Sequence, residues 1–377
     1  MKDKGKERIK KTILKWLLSF LPLILALGLY FLAGASVAFS DWYAKNIYPL
    51  WVSLWGRLWG FFPFSVNEFA YYLLALLAVY WLIRDFIRII QKKLSWAVVG
   101  NWFRTIILVA GITTLIFMIG SGINFNRETF ASEYHLDLSG GPAEDLYYLS
   151  EIMMEGMNRL AEQQIRDEEG IMQLSDGIQE RTRRAMEKLG TIYPSLSGFC
   201  PKAKPVFFSL FLSWENITGL QSPFTVEAQY NRLIVPYNIP HVICHELSHL
   251  KGYPREDEAN FIGLLACFLS EDADIQYSGY TLGYLYASNA LYEADYDRWA
   301  ELRQGINPLA RGDLSANNRY WDQYEETKLA DIRETINDTQ LKINHQEDGV
   351  KSYGRVVDLL LAYYRDEIES RKNASGN

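Results

Sequence analysis

The sequence predicts an α+β chain: about three membrane-spanning helices first, then a polar domain, mostly helical, with one small β-sheet. Three observations predict it. Three apolar runs, each near the length that crosses a bilayer, fall within the first 125 residues. The polar remainder alternates helical periodicity with a short β-rich stretch. One pentapeptide, His245-Glu246-Leu247-Ser248-His249, sets two imidazoles a helical turn apart on one face, with a carboxylate between them.

The first run, Ile13 to Ala35, is interrupted only by Lys15 near its start. It ends in Ala33-Gly34-Ala35, which resembles a signal-cleavage site, but it is longer than a signal core and further spans follow, so it is expected to stay as an anchor. The second run, Phe69 to Ile83, continues less cleanly to Ile90 through Arg84, Asp85 and Arg88; the third, Ile106 to Ile123, carries no charge. The expectation is a membrane domain over 1–123, with spans near 13–35, 69–90 and 106–123, and a second domain over 124–377. Lysine and arginine placement orients it. Lys2, Lys4, Lys6, Arg8, Lys10, Lys11 and Lys15 precede the first span, and Arg84, Arg88, Lys92, Lys93 and Arg104 lie around the second loop. The first loop has only Lys45 and Arg57. Both basic segments should be cytoplasmic, which puts everything after Asn124 outside. The loop from Asp41 to Phe64 is rich in Trp, Tyr and Phe, suited to a membrane interface or to packing on the outer domain.

In the polar part, Asp145 to Gln164 has apolar residues at helical spacing (Leu146, Leu149, Ile152, Met153, Met157, Leu160), and Asp176 to Leu189 is a second, charged helix. Tyr193 to Gly198 is a turn-rich break. Pro205 to Trp214 reads as β-like, and Gly219 to Val235 as two strands around Pro223. Pro240 opens the histidine-bearing helix, and Gly252 and Pro254 close it. The acidic run Arg255 to Asn260 opens an apolar helix, Phe261 to Leu269. Tyr277 to Tyr296 is an aromatic helix in which Tyr280 and Tyr284 stand one turn apart. A hydroxyl there can donate to an oxyanion, or the rings simply pack. Tyr320 to Glu347 reads as a long charged helix, Val356 to Tyr364 as a short closing one, and Lys372 to Asn377 as disordered.

Two neutral imidazoles at this spacing can grip one zinc ion, and Glu246 can act as general base on a water that the ion activates. A third protein ligand is required. The acidic run offers Glu256 and Glu258, which lie about 200° apart around a helix and cannot both face one ion. Glu256 shares a face with Ala259 and Asn260, and the Asn260 amide is placed to orient a ligand imidazole; Glu256 is favoured, with Glu258 the alternative. His241 lies four residues before His245 and reads as packing or substrate contact rather than a ligand. Two helices, a small sheet, the histidine helix and a glutamate-bearing helix follow in the common order of a zincin catalytic domain, whose sheet edge can hold an extended peptide. The predicted fold is therefore transmembrane helices followed by a zincin-like metallopeptidase domain.

The chain has 377 residues and a net charge of −7, with basic residues mainly at the membrane flanks, so nucleic acid is not an expected partner. Cys200, Cys244 and Cys267 are an odd count and no disulfide framework; Cys244 and Cys267 read as small buried residues.

The segments Gly219 to Ala228, Pro240 to His249 and Gly252 to Phe261 resemble the bacterial membrane family known as domain of unknown function 3810, as do the N-terminal spans and the Pro63-Phe64-Ser65 that ends the aromatic loop. The resemblance runs from roughly Leu14 to Tyr364 and implies a zinc peptidase in the bacterial cytoplasmic membrane. More widely, Glu256-Asp257-Glu258-Ala259-Asn260 is similar to the Glu-x-x-Ala-Asp of membrane CAAX-prenyl endopeptidases and HtpX-type proteases, and to the Glu-x-x-Ala-Asn of ImmA-type peptidases. In these the first Glu is the ligand, which again implies Glu256. The expected function is a membrane-anchored, zinc-dependent metallopeptidase, with Zn2+ on His245, His249 and Glu256, Glu246 as base, and a peptide or protein substrate at the bilayer's outer face. The alternative is a non-catalytic metal-binding sensor or binding module.

Overall fold

The computed structural model describes residues 2–93, 95–324 and 353–375. The first 120 residues form α1 (Lys2–Ala35), α2 (Val37–Asn46), α3 (Tyr48–Gly60), α4 (Val66–Ile90) and α5 (Trp96–Gly120). Two stretches are long and apolar enough to cross a membrane, Ile9–Ala35 in α1 and Trp96–Gly120. These helices pack side by side, and Gly111 is what allows it: a Cβ there would stand 2.8 Å from the backbone nitrogen of Leu23. The third apolar run thus belongs to a helix that starts ten residues earlier than Ile106 and stops at Gly120, where the backbone tightens into a 3-10 turn, Gly122–Asn126. Helix α4 covers the second run. Most of its side chains from Phe69 to Ile90 are exposed, and Asp85 pairs with Arg84 and Arg88 near its end.

The aromatic segment 41–64 is not a loop. It forms α2 and α3, and Tyr43, Tyr48 and Val52 join the core of the polar domain. Tyr43 donates its hydroxyl proton to Ile119 O (2.8 Å), and Trp55 Nε1 donates to Phe224 O (2.9 Å). The boundary expected at 123/124 therefore divides one packed body.

Next come α6 (Phe130–Glu133), α7 (Ala143–Ala161), α8 (Ile178–Ile192), β1 (Lys204–Pro205), α9 (Ser209–Trp214), β2 (Gly219–Ser222) and β3 (Glu227–Tyr230). The sheet has the order β1-β3-β2. β1 runs parallel to β3, and β2 antiparallel, with Gly219 opposite Tyr230 and Ser222 opposite Glu227. The stretch 205–214 departs from its β-like pattern. The N–H groups of Phe207 and Phe208 donate to the Glu68 carboxylate (2.8 and 2.9 Å), and Ser209 Oγ donates to Val206 O, so the chain leaves the ladder and coils into α9. A long-range carboxylate decides this, which local periodicity does not record. Glu227 on β3 makes the matching contact, accepting from Val66 N (3.0 Å) and Asn67 N (2.8 Å) while pairing with buried Lys204. Two carboxylates thus fasten the start of α4 to the sheet.

The remainder is α10 (Asn238–Leu250), α11 (Glu256–Phe268), α12 (Ala273–Ala294), α13 (Tyr296–Leu302), α14 (Pro308–Asp322), α15 (Tyr353–Tyr363) and α16 (Arg365–Ser375). Helices α7 and α12 pack along each other, while α10 and α11 form the centre of the core. The long helix expected over Tyr320 to Glu347 starts inside α14, and its part from 325 lies outside the described residues. The expected disordered tail is helical through Ser375. Arg371 bridges Glu151 (3.0 Å) and Glu155 (2.7 Å) on α7, and Lys372 pairs with Asp145. All three cysteines are buried and unbridged.

Candidate metal centre

Helix α10 buries Ile243, Cys244 and Leu247 on one side and turns His245 and His249 toward a cavity on the other. It ends at Gly252, whose φ of +86° is a left-handed turn that glycine adopts without strain. Residues 251–255 then reverse the chain and start α11 at Glu256. This short connection is fixed from several sides. Lys251 Nζ donates to the carbonyls of Ser197, Gly198 and Phe199 at 3.0–3.1 Å. Arg127, buried, donates to Gly252 O (3.2 Å) and Tyr253 Oη (3.1 Å), pairs with Glu133 (3.0 Å), and lies 4.1 Å over the Tyr253 ring. Tyr48 donates to His249 O (3.3 Å).

The consequence is convergence. His245 Nε2 and His249 Nε2 stand 3.1 Å apart. Glu256 Oε2 is 3.2 Å from the first and Oε1 is 3.7 Å from the second. Two ligand atoms about 2.0–2.1 Å from one zinc, at a tetrahedral angle, are about 3.3–3.4 Å apart. The triangle has the size that one ion requires. His249 Nδ1 faces Tyr253 O (2.9 Å), an arrangement that turns Nε2 inward. His245 Nδ1 is buried with no hydrogen-bond partner among the described residues.

The electrostatics follow from burial and proximity. Burial drives His249 down to about 4 against the pull of the Glu256 charge. For His245, burial is outweighed by the hydrogen bond to Glu256 and its charge, so its pKa lies above the usual histidine value. The neighbouring imidazoles overcome burial at Glu256 and lower it to about 2. Glu246 is 5% exposed, and burial raises it to about 8.

The other sequence candidates fall in distinct places. Glu258 points away from the histidines, buried, and accepts from Phe130 N. Asn260 is buried and lines the cavity; its side chain acts on His245, favouring the protonated ring, while its backbone carbonyl takes His241 Nε2 (3.2 Å). His241 also lines the cavity, with its ring centroid 6.3 Å from that of His245. Neither tyrosine considered as an oxyanion donor lines it: Tyr280 packs at a tilt against Phe268 (ring centroids 4.9 Å) and Tyr284 is buried. The tyrosine that does is Tyr286, two residues further on. Gly219 opens the segment expected to present a substrate strand, but its contact with the general-base candidate was not foreseen from the sequence. A Cβ there would lie 2.6 Å from Glu246 Oε1, so β2 backbone rests directly on the carboxylate. The cavity, about 610 Å³, is bounded by α10, the start of α11, β2, α12 and the C-terminal end of α5.

A family model described as Protein of unknown function (DUF3810) matches residues 43–361. No curated protein and no solved structure matches the chain.

Proposed function

The chain belongs to the DUF3810 family, and from that premise and the geometry of the centre we propose that it is a membrane-anchored zinc metallopeptidase of zincin-like design. The observation that carries this reading is the triangle of His245, His249 and Glu256, whose ligand atoms all lie within 4.8 Å of one another beside a buried carboxylate, Glu246, in the same cavity. Nitrogen and carboxylate donors in this number suit zinc and leave a fourth position for a water.

Bound zinc supplies Lewis acidity and a water whose pKa is brought toward neutrality. The chain supplies the rest. Glu246 takes the proton from the attacking water and delivers it to the leaving nitrogen. Glu256 stays ionised and offsets the ion's charge. Asn260 holds the His245 side of the site. Tyr286 lines the cavity and is the residue we assign as donor to the developing oxyanion. The outer edge of β2 lies beside Glu246, where an extended peptide can add as a strand.

Membrane placement is part of the same proposal. The C-terminal end of α1, the start of α4 and the end of α5 all meet the metal-bearing body, and their opposite ends carry Lys11, Lys15, Arg88, Lys92, Lys93 and Arg104. We read α4 as a third span beside α1 and α5; with the basic ends in the cytoplasm, that reading sets the centre on the extracytoplasmic side. The test is hydrolysis of a degenerate peptide library by the full-length protein in detergent. Wild type should cut, and Glu246→Gln should lose about 10²–10⁴-fold in rate while keeping its zinc, the scale of a lost general base. Zinc-loaded wild type that cuts nothing would leave the sensor reading standing instead.

A further inference from the structure

The cavity of the metal centre opens beside the C-terminal end of the apolar helix α5. Phe117 and Ser121 line the same cavity as His245, His249 and Glu256, and Phe117 belongs to the apolar stretch Trp96–Gly120. At 1.5 Å per residue, Phe117 is about 4.5 Å from the end of that helix, so the cavity floor starts at the level of the lipid headgroups. The link is tight: a Cβ on Gly120 would stand 2.4 Å from Pro223 O in the turn between β2 and β3.

A second observation fixes the same level from the opposite side. Around α9, the side chains of Phe207, Phe208, Phe211 and Trp214 are 70%, 45%, 49% and 41% exposed. They stand beside the start of α4, tied there by Glu68. On α3, Leu50 and Leu54, and Phe61 just after it, are exposed as well. Rings and aliphatic chains in this number suit the interfacial zone of a bilayer, not water. Two residues after Trp214 the chain reaches Asn216, which lines the metal cavity. The occupant of this apolar collar is therefore the outer leaflet, continuous with α4 and α5.

We infer that the metal centre acts on polypeptide at the membrane surface: its substrates are extended segments lying within a few residues of a membrane anchor, bound along the free edge of β2. This rests on the peptidase reading and narrows its substrate class. Gly219, Leu220 and Gln221 present β2 to the cavity, and β2 is hydrogen-bonded to β3 on one side only among the described strands. A segment emerging from the bilayer reaches this edge without crossing the outer body, whereas a site on the far face would serve soluble chains equally.

The test uses full-length protein in nanodiscs of phosphatidylethanolamine and phosphatidylglycerol. One degenerate extended segment is offered in three forms: joined directly to a single-span helix, joined through a flexible spacer of about 20 residues, and free in solution. Cleavage of the adjoining form should be at least about ten-fold faster than of either other form, with cuts mapped by mass spectrometry next to the anchor. Equal rates for all three would overturn the inference while leaving the peptidase intact. No cleavage of any form by zinc-loaded protein would sink both. A nitroxide at position 211 or 214 gives an independent reading. Oxygen should reach it more readily than a water-soluble nickel chelate; the reverse order would remove the membrane-level placement whatever the activity.

Discussion

At the scale of single residues, the centre is a balance between burial and three groups sharing one proton. Glu256 stays ionised, His249 gives up its proton at about 4, and His245 keeps one above the usual histidine range. Metal must displace that proton. The sign is unambiguous: protons and zinc compete, so affinity rises with pH and levels off once His245 is neutral. Below the His245 pKa, zinc affinity should fall about ten-fold per pH unit, measured by chelator competition between pH 5 and 8. A flat profile would show that His245 does not carry the competing proton. The residues of this balance were legible in the sequence because helical spacing is local: four residues between histidines, and Glu256 on one face with Asn260. The places of Gly219 and Tyr286 at the centre were not. Their roles depend on β2 lying across α10 and on which face α12 turns to the cavity, and neither is written in a residue's own neighbourhood. Tyr280 and Tyr284 were singled out for their one-turn spacing, which here serves packing.

At the scale of elements, the decisive piece is the five-residue connection 251–255. It is too short to place Glu256 by itself, and its geometry comes from Arg127, Lys251 and Tyr48. Arg127→Met would leave Gly252 O without its Arg127 donor and remove one partner each from Tyr253 Oη and Glu133, which stay bonded to each other at 2.9 Å. The expected cost is on the order of 1–2 kcal/mol, the scale of lost charge-assisted hydrogen bonds, because Glu133 keeps Tyr253 and Lys45 as partners. Thermal unfolding should shift down by several degrees, and zinc affinity should drop with it because the same turn carries Tyr253 O beneath His249. Unchanged melting and unchanged zinc binding would show that the connection holds its shape without Arg127. Helix positions were largely readable, since α7, α8, α10, α11 and α12 declare themselves by periodicity and by stops such as Gly252 and Pro254. The misread elements have tertiary causes. The stretch 206–214 has β-like side chains, but Glu68 takes its backbone donors. The segment 41–64 reads as a loop from its aromatic content, but its Tyr43, Tyr48 and Val52 find a core. The tail from Lys372 reads as disordered from its polarity, but Arg371 and Lys372 find carboxylates on α7.

At the scale of the whole molecule, the membrane third and the polar two-thirds are one body. Tyr43, Tyr48, Val52 and the start of α4 complete the core that the centre rests on. A chain beginning at Asn124 should therefore fail to fold, giving aggregated material without sharp near-ultraviolet dichroism. A monomeric, cooperatively melting product from that chain would contradict the shared core. The apolar runs announced long apolar helices in the first third, two of them long enough to cross a membrane, but not that α2 and α3 lie between them and join the core of the polar domain. The claim on which the rest depends is one zinc held by three named side chains, so the most direct measurement is metal content, with X-ray absorption at the zinc edge, on full-length protein purified in detergent. The account predicts one zinc per chain with nitrogen and oxygen neighbours at about 2.0–2.1 Å, lost in His245→Ala and in Glu256→Ala and retained in Glu246→Gln. Folded wild-type protein that takes up no zinc, or that keeps it after His245→Ala, would contradict it.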